Sequence, residues 1–307
     1  MDNIATISLS RPVAQIADDL GRSFAEYGFA IVRDHGIDQH LIDRAETMAR
    51  RFFGLPPETK RAYHVAGGGG ARGYTPFGTE IAKDAKVHDL KEFWHVGRSL
   101  PAGHPLSDVM QPNLWPAELP EFRETFEELF SAFEATGARI LSAIALHLGL
   151  DEHWFEPTVK DGNSVMRLLH YPPLPADAPE GAIRAAAHGD INTITLLLGA
   201  EEAGLELLNK QGEWMPVSPP PGALAVNVGD MLDRLTNGKL RSTTHRVVNP
   251  SGEAARRSRY SMPFFLHFRP DFLIEPLPQC VEPGETPEPP ILAHDYLMQR
   301  LREIGLA

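Results

Sequence analysis

The spacing of apolar residues changes period near residue 155, and that change limits the fold more than any other feature of the chain. Beyond residue 160 the apolar residues fall into eight short runs: SVMRLLHY, RAAAH, TITLLL, LELLN, WMPVS, ALAVNV, HRVVN and RYSMPFFLHF. Each has strand length and strand composition, and Pro, Gly, Asn or Asp separates it from the next. Eight such strands joined by turns predict two sheets folded as a jelly roll. Before residue 155 the spacing is helical. Ile16, Leu20, Phe24 and Tyr27 recur as one buried helix stripe would. GFAIVRDHG reads as a short strand ended by a turn at Gly36, and QHLIDRAETMARRFFGL as a helix stopped by Pro56 and Pro57. A long helix is expected over roughly 121–148, and ILAHDYLMQRLREIGLA reads as a terminal helix after a Pro-rich, extended connection. The expected class is α+β with a mainly β core: a double-stranded β-helix, or jelly roll, with an N-terminal helical region and a C-terminal helix. The expected divisions are 1–120 for the helical and mixed region, 121–270 for the long helix and jelly roll, and 271–307 for the C-terminal extension.

Three residues carry the chemistry. Residues i and i+2 of a strand point to the same side, so His188 and Asp190 can converge on one ion. Gly189 between them adds no side chain to crowd it. His245 lies 55 positions beyond Asp190, so only the tertiary fold can bring it near. Two neutral imidazoles and a carboxylate on one face of an ion leave the other face open, which suits oxygen-binding non-haem Fe(II). Thirteen histidines are present, and most read as surface or hydrogen-bonded residues; His170 and His267, inside expected strands, read as structural. Arg259 and Ser261 follow 14 residues after His245 at the start of an apolar run and share a strand face. A guanidinium beside a hydroxyl is a carboxylate anchor. Tyr171 either adds its phenol to the same anion or packs as a core tyrosine.

Other segments are open to two readings. Gly67 to Gly70 and the poorly periodic stretch Thr79–Leu90 read either as surface loops or as a lid over the site. Arg72, Tyr74, Phe93, Trp94 and Arg98 read either as substrate contacts or as a packed helical cap. Phe264, Leu266 and Phe268 would supply an apolar lining if they face inward.

The net charge of −12 argues against a nucleic acid partner, which needs clustered Lys and Arg. The lone Cys280 excludes an intrachain disulfide and fits a reducing compartment. No secretory signal pattern and no uninterrupted apolar span of membrane length is read, so a cytoplasmic protein without a membrane partner is expected. Nothing in the sequence sets the oligomeric state.

With these residues in order, the chain resembles the isopenicillin N synthase-like family of Fe(II)- and 2-oxoglutarate-dependent dioxygenases. EYGFAIVRDHGI and RRFFGLPPETKRAY resemble the family's N-terminal region. HYPPLP, AHGDINTITLLL, GEWMPVSPPPGALAVNVGDMLDRLTNGKLRSTTHRVVNP and RYSMPFFLHF resemble its jelly-roll core. The resemblance implies that His188, Asp190 and His245 bind Fe(II). It implies that Arg259 and Ser261 hold the distal carboxylate of 2-oxoglutarate, and that Tyr171 matches the second tyrosine of the family's Asn-Tyr-Tyr-Pro-Pro motif. That motif's asparagine is Leu169 here and its first tyrosine is His170. The implied reaction oxidises a C–H bond of a small molecule with O2, yielding succinate and CO2. Two alternatives stay open at this point: an oxidase of the same fold that does not use 2-oxoglutarate, and a metabolite-binding protein without turnover. The Arg-x-Ser pair also serves family members that grip a substrate carboxylate instead.

Overall fold

Alternation along the later half of the chain builds two sheets around a shared interior. The structure, a computed structural model, describes residues 4–65, 71–80, 87–175, 178–179, 181–199 and 203–303. The N-terminal part contains β1 (Thr6–Ser8), α1 (Val13–Tyr27), β2 (Phe29–Arg33), α2 (Gln39–Phe53), α3 (Pro57–Arg61), β3 (Gly73–Thr75) and β4 (Glu92–Gly97). The long helix α4 (Phe122–His147) and the short α5 (Glu156–Val159) follow. The eight expected strands are all present: β5 (Val165–Tyr171), β6 (Ala185–His188), β7 (Ile194–Leu198), β8 (Leu205–Leu208), β9 (Trp214–Pro216), β10 (Leu224–Val228), β11 (His245–Val247) and β12 (Arg259–Leu266). A short helix, α6 (Asp230–Leu235), interrupts them between β10 and β11. The pair β13 (Leu273–Ile274) and β14 (Ile291–Leu292) precedes the last helix, α7 (Ala293–Glu303).

The major sheet has the order β1-β2-β10-β7-β12-β5-β4-β3 and the minor sheet β6-β11-β8-β9. Phe29, Ile31 and Ala225 of the major sheet pack with Ala185, Leu205, Leu207 and Val247 of the minor sheet in one buried cluster, so the sheets face each other. The other face of the major sheet rests on the helices. Phe264 stacks on Phe133 of α4 at 5.2 Å between ring centres and meets Phe130 edge-on. Among the described residues α4 alone is long and apolar enough to cross a membrane, but its apolar face is buried in this core.

Local chemistry sets the ends of the first two helices. Gly28 closes α1 in the left-handed conformation (φ 68°) and donates its N–H to the Phe24 carbonyl. Asp38 caps α2 by accepting from the His40 N–H at 2.9 Å.

Two expectations need correction. The helical-cap reading of the segment holding Arg72 to Arg98 fails, because β3 and β4 there extend the major sheet. All six residues of β4 are buried, so no polar alternation marks it as a strand. The inward-lining reading of Phe264, Leu266 and Phe268 also fails. Strand period two puts Arg259, Ser261, Pro263 and Phe265 on the interior face and sends Phe264 and Leu266 to the helices. Phe268 stacks on Phe155 of the segment leading into α5. Gly67 to Gly70 and much of Thr79–Leu90 (residues 81–86) lie outside the described residues.

Phe264→Ala should lower unfolding stability by about 3–5 kcal/mol through the lost ring and the cavity left behind. Chemical denaturation read by far-ultraviolet circular dichroism would measure it, and a loss under about 1 kcal/mol would contradict the packing described.

Candidate metal centre and anion clamp

Strand pairing brings the three expected ligands together. β11 runs antiparallel to β6 with His245 directly opposite His188. Asp190 follows two residues after His188, and its Oδ1 lies 3.9 Å from His188 Nε2 and 3.8 Å from His245 Nε2. One donor atom from each residue falls within 4.8 Å of the others. Metal–ligand bonds of about 2.0–2.2 Å would close this set on one ion after small side-chain rotations.

Hydrogen bonds orient all three. His188 Nδ1 faces the Ala186 carbonyl at 2.7 Å and His245 Nδ1 faces the Thr243 carbonyl at 3.0 Å. A carbonyl can only accept, so each Nδ1 carries the proton and each Nε2 keeps its lone pair for a metal. Asp190 Oδ2 accepts from Thr195 Oγ1 at 2.6 Å and from Asn227 Nδ2 at 2.7 Å, which leaves Oδ1 toward the imidazoles.

Electrostatics prepare the same states. Burial, reinforced by the neighbouring His245, pushes the His188 pKa down to about 4, so His188 is neutral near pH 7. Burial opposes ionisation of Asp190, but the imidazoles and the Asn227 and Thr195 hydrogen bonds outweigh it and hold its pKa below the usual carboxylate range.

The backbone after Asp190 is pinned by the start of α6. Asp230 N–H donates to the Asp190 carbonyl at 2.8 Å, and Gly229 N–H donates to the Thr193 carbonyl at 3.0 Å. A Cβ on Gly229 would lie 2.0 Å from the Asn192 carbonyl oxygen, so no larger residue fits this approach. On the other side of β6, the Asp89 carboxylate accepts from the Ala186 N–H at 2.9 Å.

Arg259 sits on the same interior as the triad. It is 1% exposed, and its guanidinium carbon lies 5.2 Å from the Tyr171 ring centre. Its register partner on β5 is Tyr171, and that of Ser261 is Leu169. Among the described residues its one hydrogen bond, from Nη2 to the Gly199 carbonyl, is 3.4 Å long, and its buried Nε has no partner. Among the described residues no carboxylate pairs with it. A buried guanidinium in that state is costly unless an anion joins it.

The other residues singled out in the sequence lie elsewhere. Trp94 is in the helix-side core against Phe52 and Phe122. Arg72 donates to the Gln111 and Ala71 carbonyls, and Arg98 pairs with Glu134. Tyr74, Lys60 and His170 all bond the buried Glu92, and the other His170 nitrogen meets Ser258 Oγ at 2.9 Å. Phe93 alone of the five reaches the interior, in a cluster with Leu169 and Tyr171. Thr195 and Asn227, which hold the carboxylate, were not picked out by the sequence reading. Their signal is a polar residue inside an otherwise apolar strand, in TITLLL and in ALAVNV.

Comparison with known proteins agrees with this geometry. A family described as the 2OG-Fe(II) oxygenase superfamily matches residues 162–268, and one described as non-haem dioxygenase in morphine synthesis N-terminal matches residues 4–118. The chain belongs to the 2OG-Fe(II) oxygenase superfamily. It is 38% identical over 287 residues to the 2-oxoglutarate-Fe(II) type oxidoreductase hxnY of Emericella nidulans, covering 90% of this chain and 81% of that protein. A crystal structure of a 2OG-Fe(II) oxygenase family protein from Caulobacter crescentus superposes with a TM-score of 0.92 at 52% identity, covering 99% of this chain and 100% of that one. A full-length Neurospora crassa protein, crystallised in complex with alpha-KG and thymine, has a TM-score of 0.86 at 29% identity, covering 97% of this chain and 96% of that one. This oxygenase is therefore an Fe(II)- and 2-oxoglutarate-dependent oxidoreductase, with His188, Asp190 and His245 as the iron triad. Two neutral nitrogen donors and one ionised carboxylate fit Fe(II), and the orphaned Arg259 Nε fits an added carboxylate.

Thr195→Val and Asn227→Ala should each weaken Fe(II) binding by about 10–100-fold, as loss of groups orienting a metal ligand does elsewhere. Anaerobic Fe(II) titration would report it, and wild-type affinity in both variants would mean that Asp190 needs neither partner.

Proposed function

We propose that this oxygenase uses O2 and 2-oxoglutarate to oxidise a C–H bond of a small molecule, releasing succinate and CO2. The observation that carries the reading is Arg259, a fully buried guanidinium with no carboxylate partner among the described residues, on the interior face shared with the triad. In this reading Arg259 grips the distal carboxylate of 2-oxoglutarate, and Ser261 and Tyr171 add their hydroxyls. Bound Fe(II) and the 2-oxo acid supply the oxygen activation and the electrons. The chain does the rest. His188, Asp190 and His245 hold one face of the metal and leave the other free. Thr195 and Asn227 keep the Asp190 carboxylate turned toward the site. Leu169, Leu197 and Phe265, on the interior face of β5, β7 and β12, form apolar wall that limits water there. The lone Cys280 is buried and unpaired, which suits a reducing cytoplasm.

Asp190→Ala should abolish succinate formation while circular dichroism shows an intact fold. Arg259→Met should raise the 2-oxoglutarate concentration needed for half-maximal binding at least tenfold, given about 2–5 kcal/mol for one half of a buried charged pair. Equilibrium titration of the Fe(II) protein with 2-oxoglutarate checks the second. An unchanged requirement would move the cosubstrate away from Arg259. Oxygen uptake coupled to substrate but independent of 2-oxoglutarate would favour the same-fold oxidase instead.

A further inference from the structure

The interior face of the major sheet carries a second cation that the reaction above does not use. In β4 and β5, Phe93 lies opposite Leu169 and His95 opposite Arg167. In β5 and β12, Leu169 lies opposite Ser261 and Tyr171 opposite Arg259. Period two then puts Arg167, Leu169 and Tyr171 on one face, with Phe93 and His95 on one side and the Arg259 clamp on the other. A ring contact and strand register relate Arg167 to the metal centre. Its guanidinium carbon is 5.4 Å from the Phe265 ring centre. Phe265 is paired across the sheet with Thr195, and Thr195 bonds the metal ligand Asp190.

Arg167 is held with one edge left over. Its guanidinium carbon lies over the Phe93 ring, 4.2 Å from its centre. Nε donates to His95 Nε2 at 2.6 Å, and Nη1 donates to Glu80 Oε2 at 3.3 Å. Nη2 makes no hydrogen bond among the described residues. The side chain as a whole is 19% exposed. Charge around it is already balanced. Glu80 is shared with Lys91 at 2.6 Å, and Lys91 also meets Asp89 at 2.7 Å, giving two cations and two carboxylates. His95 Nε2 accepts from Arg167. A ligand at this place therefore meets a directional donor beside a half-buried phenylalanine, next to a cluster whose two cations and two carboxylates balance among the described residues.

Building on the function proposed above, we infer that Arg167 is a specificity-determining residue, and that the substrate is a small planar ring bearing an sp2 oxygen acceptor, as a ring carbonyl or a carboxylate. The ring stacks against Phe265 and its oxygen accepts from Arg167 Nη2. Ring orientation then decides which C–H bond faces the metal.

The test uses the anaerobic protein loaded with Fe(II) and 2-oxoglutarate, whose visible absorption reports ligands that enter beside the metal. One arm uses ring carbonyls (thymine, uracil), one uses ring carboxylates (benzoate, pyridine-3-carboxylate), and the controls are pyridine and butanoate. At least one oxygenated arm should perturb the band, and the controls should not. Arg167→Gln and Arg167→Lys should weaken that binding about tenfold or more, the loss expected for a hydrogen bond from a charged donor. Phe265→Leu, which leaves the charged cluster intact, should weaken it about threefold through lost stacking. The 2-oxoglutarate band itself reports whether each variant is folded. A normal band with no response to any oxygenated ring, equal binding of the controls, or wild-type affinity in the Arg167 and Phe265 variants would overturn this inference alone. Absence of the band in the wild type would overturn the functional reading, and the inference with it.

Discussion

Asp190 must stay ionised inside the protein, and much of the site is arranged around that requirement. A carboxylate removed from water loses its hydration, which by itself would drive it to bind a proton. Thr195 and Asn227 return two short hydrogen bonds to Oδ2, and the imidazoles of His188 and His245 flank Oδ1. The two hydrogen-bond donors come from β7 and β10, neighbouring strands in the centre of the major sheet, while His188 and His245 come from the minor sheet. The charge of one side chain thus couples both sheets. The Asp230 N–H on the Asp190 carbonyl and the close approach of Gly229 to Asn192 fix the backbone that carries it.

β12 divides two kinds of work between its faces. Met262, Phe264 and Leu266 are buried against the helical layer, where burial of each large side chain contributes about 1.5–3 kcal/mol. Arg259 and Ser261 face the interior, where Arg259 is a buried charge without an anion beside it among the described residues. A shift of one residue in register would exchange these faces and destroy both functions. Packing of Phe264 on Phe133 therefore holds the anion clamp in place as well as the core.

The eight later strands were legible because their apolar runs are short and bounded by turn residues, and each appears where its run lies. α1, α2 and α4 were legible from their apolar stripes. β4 was not, since Glu92 to Gly97 are buried on both faces and Glu92 looks like a surface residue. In the fold Glu92 is an interior acceptor for Lys60, Tyr74 and His170. Three-residue β1 and β3 and six-residue α6 are too short to show a period at all. Arg72, Trp94 and Arg98 could be named but not placed, because a cation or an aromatic ring in a sequence looks the same whether it packs or binds.

The sequence by itself determined the chemical types at the site and their local geometry. His188 and Asp190 are two residues apart in a strand, and so are Arg259 and Ser261, so each pair shares a side. Covalent spacing and strand period decide that much. Only the tertiary structure decided that His245 lies opposite His188, that Thr195 and Asn227 grip Asp190, and that Phe265 rather than Phe264 looks inward. Those relations depend on which strands pair and in what register. Pairing is settled by burial summed over the whole sheet, which no short stretch of sequence contains.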